Sequence, residues 1–157
     1  MPRVLALLCL ILLCAAAATP IAGPPGWTGF TPGGTGTVAA FRWPEPDGSF
    51  RHTLGVTVTT TASTLDEFID RNTKLLQGAE YYRVEANAKT QACGQPAWHL
   101  AYSHPGLTEA TKDFTVFTEQ IVTVRRGRLV IATYIHTSRD PPRADAENWI
   151  GRVCGLN

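Results

Sequence analysis

The apolar residues of this chain change period twice. Alternation of period two runs up to about Thr60, a period near 3.6 takes over at Thr64, and alternation returns from Tyr81 onward. That pattern predicts strands interrupted by a helix. Val38–Trp43 and Phe50–Thr60 are the first two predicted strands, and the second is rich in Val and Thr. Between them Pro44-Glu45-Pro46-Asp47-Gly48 is turn chemistry, in which proline presets φ and glycine accepts a positive one. Leu65, Phe68, Ile69, Leu75 and Leu76 then share one helical face. Thr64 and Glu67 have the spacing of a capping box, and Gly78 is a fitting stop. The predicted helix spans about residues 64–77.

Four more strands follow: Tyr81–Thr90, Ala97–Ser103, Phe114–Arg125 and Leu129–Thr137. Cys93-Gly94-Gln95-Pro96 and Arg126-Gly127 are the turns, and His104-Pro105-Gly106 belongs to a loop. Asp140-Pro141 starts a last helix with a capping side chain and a proline at the first helical position. Ala146, Trp149, Ile150 and Val153 supply its buried stripe. The order ββαββββα predicts an α+β domain, an antiparallel sheet of about six strands flanked by two helices.

The N-terminus has a different character. Residues 2–18 carry one basic side chain, an apolar run and then small residues, the layout of a secretory signal peptide. The run Val4–Ala18 is shorter than the ~20 residues a membrane span needs. Cleavage is expected after Ala18, so the mature chain begins at Thr19 and has no transmembrane segment. A lipoprotein leader, with Cys14 as the acylated first residue, is the alternative; Leu13 before it is not the small residue that processing favours. Residues 19–36, rich in Pro, Gly and Thr, read as an extended or flexible arm that Trp27 and Phe30 pin to the domain. The single domain then occupies 37–157.

Loss of the leader removes Cys9, Cys14 and Arg3. The two cysteines left, Cys93 and Cys154, are expected to form one disulfide in an exporting compartment. The loop closed would be about 61 residues and the stabilisation about 4 kcal/mol on a chain-entropy account. There is no Cys-x-x-Cys spacing to suggest redox catalysis. The mature chain balances 13 basic against 13 acidic side chains. That balance argues against nucleic acid as a partner.

Candidate chemistry is sparse. His52, His99, His104 and His136 lack the spacing of a zinc pair, although His99 or His104 would approach His136 if strands 97–103 and 129–137 were neighbours. Ser103, His104 or His136, and Asp113 or Asp140 supply the residue types of a hydrolase triad without a Gly-x-Ser-x-Gly elbow. Arg125, Arg126 and Arg128 cluster at a hairpin tip, either as a solvated turn or as a docking point for an acidic partner. Trp98, Leu100 and Tyr102 share one strand face, expected under a helix. Of Tyr81 and Tyr82 one should be exposed, as should Trp43 at the hairpin end. No motif calls for a cofactor.

The element order resembles the PsbP-like fold, shared with the Ran-binding Mog protein and the bacterial DcrB-type exported proteins. The matching stretches are Thr64-Leu-Asp-Glu-Phe at the opening of the first long helix, Cys93-Gly-Gln-Pro-Ala-Trp-His-Leu-Ala-Tyr at a turn and strand, Glu119 to Tyr134 as a long hairpin, and the closing helix at 141–154. The resemblance covers residues 37–154 and implies a non-catalytic binding or assembly role, with no family catalytic residue to transfer. The expectation is a secreted or periplasmic module for an unknown protein or small-molecule partner. An exported hydrolase with its site between sheet and helix, or a lipid-anchored envelope protein, are the alternatives.

Overall fold

Alternating side chains become a seven-stranded antiparallel sheet in the computed structural model, which describes residues 21–46, 50–109, 111–137 and 143–153. The elements are β1 (Thr28–Gly29), β2 (Thr37–Arg42), β3 (Thr53–Thr60), α1 (Leu65–Gln77), β4 (Arg83–Ala92), β5 (Gln95–Pro105), β6 (Thr115–Arg125), β7 (Arg128–Thr137) and α2 (Arg143–Ile150). Across the sheet the order is β1-β2-β3-β7-β6-β5-β4. The leader (residues 1–18), the Asp47-Gly48 part of the first turn, the Asp140-Pro141 helix start and Cys154 lie outside the described residues.

Two dipeptide turns set the register of the outer half. Cys93-Gly94 joins β4 to β5 with φ of 49° and 70°, and Arg126-Gly127 joins β6 to β7 with φ of 50° and 70°. Positive φ at both central residues is the type I′ turn, whose twist matches that of the flanking strands. The four-residue turn expected at Cys93–Pro96 is thus tighter, and Gln95 and Pro96 belong to β5.

The seventh strand corrects the expected count of six. Thr28 and Gly29 pair with Arg42 and Phe41 inside what reads in sequence as an arm. Trp27 is buried beside it, and the Trp149 indole N–H donates to the Ala22 carbonyl at 2.8 Å. Gly23 lets the chain pass over Phe41, since a Cβ there would come within 2.5 Å of the ring. A two-residue strand among glycines and prolines has no alternation to betray it. Trp43, expected exposed, instead packs edge-on against Trp27 with centroids 5.7 Å apart.

Helix α1 starts as its sequence predicts. The Glu67 N–H donates to Thr64 Oγ1 at 3.2 Å, and the Thr64 N–H donates to Glu67 Oε2 at 2.8 Å. Those two Thr64 contacts hold the Glu67 carboxyl below its usual range. Gly78 caps the far end with φ −80°, so the helix ends without a left-handed residue. Ile69 is buried on Val122 and Leu129, with Leu65, Phe68 and Trp98 around them. Leu75 does not join and is 66% exposed. At about 100° per residue it points about 80° away from Leu65, off the edge of the stripe.

Helix α2 covers the opposite face. Ala146, Trp149 and Ile150 pack with Trp27, Leu54, Val56, Val130, Ala132 and Tyr134. The layers are therefore α1, sheet, α2. Among the described residues the contacts of α2 fall mainly on β7.

Candidate functional site

Period-two alternation puts Phe117, Glu119, Ile121 and Thr123 of β6 on the α2 face of the sheet. Glu119 stands opposite Ala101 on β5 and Tyr134 on β7. Its long side chain reaches the diagonal neighbours instead, two positions away on each flanking strand. Oε1 lies 3.1 Å from His136 Nε2, and Oε2 lies 3.6 Å from His99 Nε2. One buried carboxylate thus bridges two histidines from strands that do not touch. Strands 97–103 and 129–137, whose pairing would have brought His99 or His104 to His136, are not neighbours: β6 runs between them and supplies the link.

His136 is buried, its ring stacked on Tyr134 at 4.4 Å and on Phe117 at 5.3 Å. Its Nδ1 is 2.8 Å from the Thr137 carbonyl, which can only accept, so Nδ1 carries a hydrogen. Nε2 meets Glu119, so that contact needs a proton of its own. Either Nε2–H donates to a carboxylate, or a carboxylic acid donates to Nε2. In both forms the pair is neutral overall, as a buried pair must be.

His99 stands at the exposed end of this chain of contacts. With Glu119, Thr90, Ile121, Glu147 and Ile150 it lines a cavity of about 300 Å³, at the small end of ligand pockets. Thr90 comes from β4, His99 from β5, Glu119 and Ile121 from β6, and Glu147 and Ile150 from α2. The helix is therefore one wall and strands β4–β6 are the floor. One rung further, Ser103 Oγ donates to Glu85 Oε1 at 2.6 Å, at the β4 irregularity between Val84 and Ala86. Among the described residues, no group of three or more His, Cys, Asp or Glu is arranged to hold a metal ion.

The other candidates are dispersed. Ser103 and His104 point to opposite faces of β5, and Tyr82 packs 5.1 Å from the His104 ring. Ser103 and His136 share a face but are two strands apart, about 10 Å. Asp113 is exposed in the β5–β6 loop, and Asp140 lies outside the described residues. Among the described residues the Ser-His-Asp set is not assembled. His52 and His136 are both buried.

Arg125 and Arg128 form the last rung of the β6–β7 hairpin, with Arg126 in its turn. The exposed aromatics lie elsewhere: Phe30 sits under the Arg42 guanidinium, and Tyr81 precedes β4 at the other end of the sheet. Cys93 Sγ is 3.2 Å from the Arg152 carbonyl oxygen, two residues short of Cys154. Sequence reasoning missed Glu119 as a candidate site residue. The available signal was a carboxylate in register with Phe117 and Ile121, on a face otherwise expected to be buried.

No protein-family profile matches the chain, and no curated protein matches it in sequence. Solved structures do match. LpqN of Mycobacterium tuberculosis, involved in cell envelope biogenesis, aligns with TM-score 0.58 and 15% identity over 83% of this chain and 78% of its own. PA94 of Pseudomonas aeruginosa, of unknown function, aligns with TM-score 0.56 and 12% identity over 77% and 90%. The PsbP-like CyanoP of Synechocystis aligns with TM-score 0.50 and 19% identity over 80% and 78%. At these identities the likeness is one of fold, and the fold is PsbP-like.

Proposed function

We infer that the protein is an extracytoplasmic, non-catalytic binding module whose ligand enters the cavity between α2 and strands β4–β6. The observation that carries this reading is the cavity itself, which lies between α2 and strands β4–β6 and has the Glu119 carboxyl group, set between two histidines, at its floor. Likeness in fold to an envelope-biogenesis protein supports the compartment, as does the leader-like N-terminus. No helix among the described residues is long and apolar enough to cross a membrane.

A Cys93–Cys154 disulfide completes this proposal. It would tie the end of α2 to the β4–β5 turn and so hold one wall of the cavity in place; the closeness of Cys93 to Arg152 supports it. The arginine tip at Arg125, Arg126 and Arg128 is proposed as a secondary docking point for an acidic partner. Intact mass of the exported protein tests compartment and staple together. A chain beginning at Thr19 that gains about 2 Da on reduction is expected. An acylated Cys14 would replace the soluble form with the anchored one, and free thiols would remove the staple. Binding is tested by native purification and mass spectrometry of released small molecules. Wild type should carry a compound that Thr90→Trp, which fills the cavity, does not; equal cargo in both sinks the reading.

One observation favours an exported hydrolase as a second reading. His99, half-exposed and backed by a buried carboxylate, has the arrangement of a general base with its orienting acid, and Thr90 lines the same cavity. Turnover of nitrophenyl esters abolished by His99→Ala would support it.

A further inference from the structure

Residues 21–27 lie across the α2 side of the sheet as a strap, and two opposing forces act on it. Apolar and backbone contacts hold it down. Trp27 belongs to the core cluster that α2 covers, and Ile21 packs against that cluster. Gly23 passes directly over the Phe41 ring, and the Ala22 carbonyl accepts the Trp149 indole N–H at 2.8 Å. A polar cost works the other way. Trp27 Nε1, Trp43 Nε1 and the Tyr134 hydroxyl are buried, and none of the three has a hydrogen-bond partner among the described residues. They belong to one neighbourhood: the Trp27 ring is 5.7 Å from Trp43 and 6.1 Å from Tyr134. Trp27 is therefore the cover over the other two. An indole N–H can only donate, and it regains a partner as soon as water reaches it.

A contact that buries unpaired donors is weaker than its apolar area implies. Local opening relieves that cost. The strap also has a hinge. Gly26 sits at φ 84° just before Trp27, and beyond it β1 is held to β2 through Thr28 with Arg42 and Gly29 with Phe41. Helix α2 depends on its packing, because eight residues are too few for a helix to stand alone. Its Trp149 meets the strap at Ala22 and the Phe41 ring at 5.5 Å. We propose that the strap is a gate. It swings at Gly26, wets Trp27, Trp43 and Tyr134, and loosens α2, the wall that brings Glu147 and Ile150 to the cavity. A staple at Cys93 would keep the far end of the helix attached. The gating role rests on the reading of the cavity as a ligand site; the motion of the strap does not.

The Trp149 indole N–H reports the strap directly, because its acceptor is Ala22. Its hydrogen exchange is followed by NMR in the unreduced mature chain, beside the backbone amides of Val130 and Ile150, each corrected for its intrinsic rate. The indole and Ile150 should exchange faster than Val130 and respond little to low urea, since a local opening exposes less surface than global unfolding. Two variants act in opposite directions. Tyr134→Phe removes an unpaired hydroxyl and keeps the ring, and should slow the indole by about fivefold or more. Gly26→Ala strains the hinge and brings a Cβ to 3.0 Å from Trp43, and should speed the indole by about fivefold or more. Circular dichroism checks that both variants are folded. Indole exchange as slow as that of Val130, with the same urea dependence, would show that the strap does not open by itself and overturn the proposal. Faster exchange in Tyr134→Phe would mean that an internal water holds the hydroxyl in the closed form, and would overturn it too. A fast indole beside a protected Ile150 amide would remove the gate. The expected exchange pattern in a protein that carries no compound in the cavity would remove the ligand site and the gating role, while the strap motion stands.

Discussion

Under α1, β6 and β7 turn Val122, Leu129 and Ile131 toward a helix and form an ordinary apolar seam. One residue along the same strands, the α2 face carries Glu119, Thr123 and His136, all buried. The strands are shared, so backbone geometry does not explain the contrast. What differs is cover. Helix α1 lies across the β4–β6 part of its face, whereas among the described residues α2 sits mainly on β7. An apolar residue at 119 would have packed well between Ala101 and Tyr134. A carboxylate there needs a histidine on one side to be tolerated at all.

The largest effect that tests this contrast comes from Glu119→Ala, which leaves His136 buried with its Nε2 partner gone. A loss of about 3–5 kcal/mol in urea unfolding is expected. The double variant Glu119→Leu with His136→Phe should recover most of it, since an apolar pair of similar volume is often as stable as a buried ionic one. If the double variant is as unstable as the single one, the polar seam is there for stability and the contrast dissolves. Next is Ile69→Ala in the apolar seam, expected to cost about 3 kcal/mol through lost burial and a cavity. The two sites lie on opposite faces, so their effects should add within about 0.5 kcal/mol; strong coupling would mean that the seams form one core.

A smaller effect belongs to the α1 cap. Thr64→Ala should cost about 1 kcal/mol. The Glu67 carboxyl is held low in the folded chain, so its contribution is present above the unfolded carboxylate pKa and is lost as pH falls through the folded value. The acid limb of a stability–pH curve should therefore be shallower in Thr64→Ala. The smallest effect is alkaline. Burial raises Tyr102 above its ordinary value of 10.0, with the Thr118 hydroxyl partly opposing. A raised folded pKa gives stability that is full below about pH 10 and lost as pH climbs through the folded value. Tyr102→Phe should flatten that decline in denaturation midpoints taken at pH 9 and pH 11, and parallel slopes would show that Tyr102 ionises without penalty.

Much of this architecture was legible in the chain. The capping box at Thr64 and Glu67, the tight turn at Arg126-Gly127 and the alternation of β5 to β7 depend on residues close in sequence, whose preferences act locally. Leu75 was misread because period alone gives a stripe's direction and says nothing of where the sheet beneath it ends. Strand β1 was invisible because its two residues are held by Trp27 and Trp149 and not by any pattern of their own.

The amino-acid order by itself determined the element types, the α+β class and the two faces of each strand, because hydrophobic period and turn chemistry are local properties. Tertiary structure alone decided that Glu119 joins His99 to His136, that among the described residues α2 sits mainly on β7, and that the arginine tip and the exposed aromatics stand apart. Those outcomes follow from strand order. The order β7-β6-β5 puts a carboxylate between two histidines, and no spacing along the chain encodes which strand will lie between which.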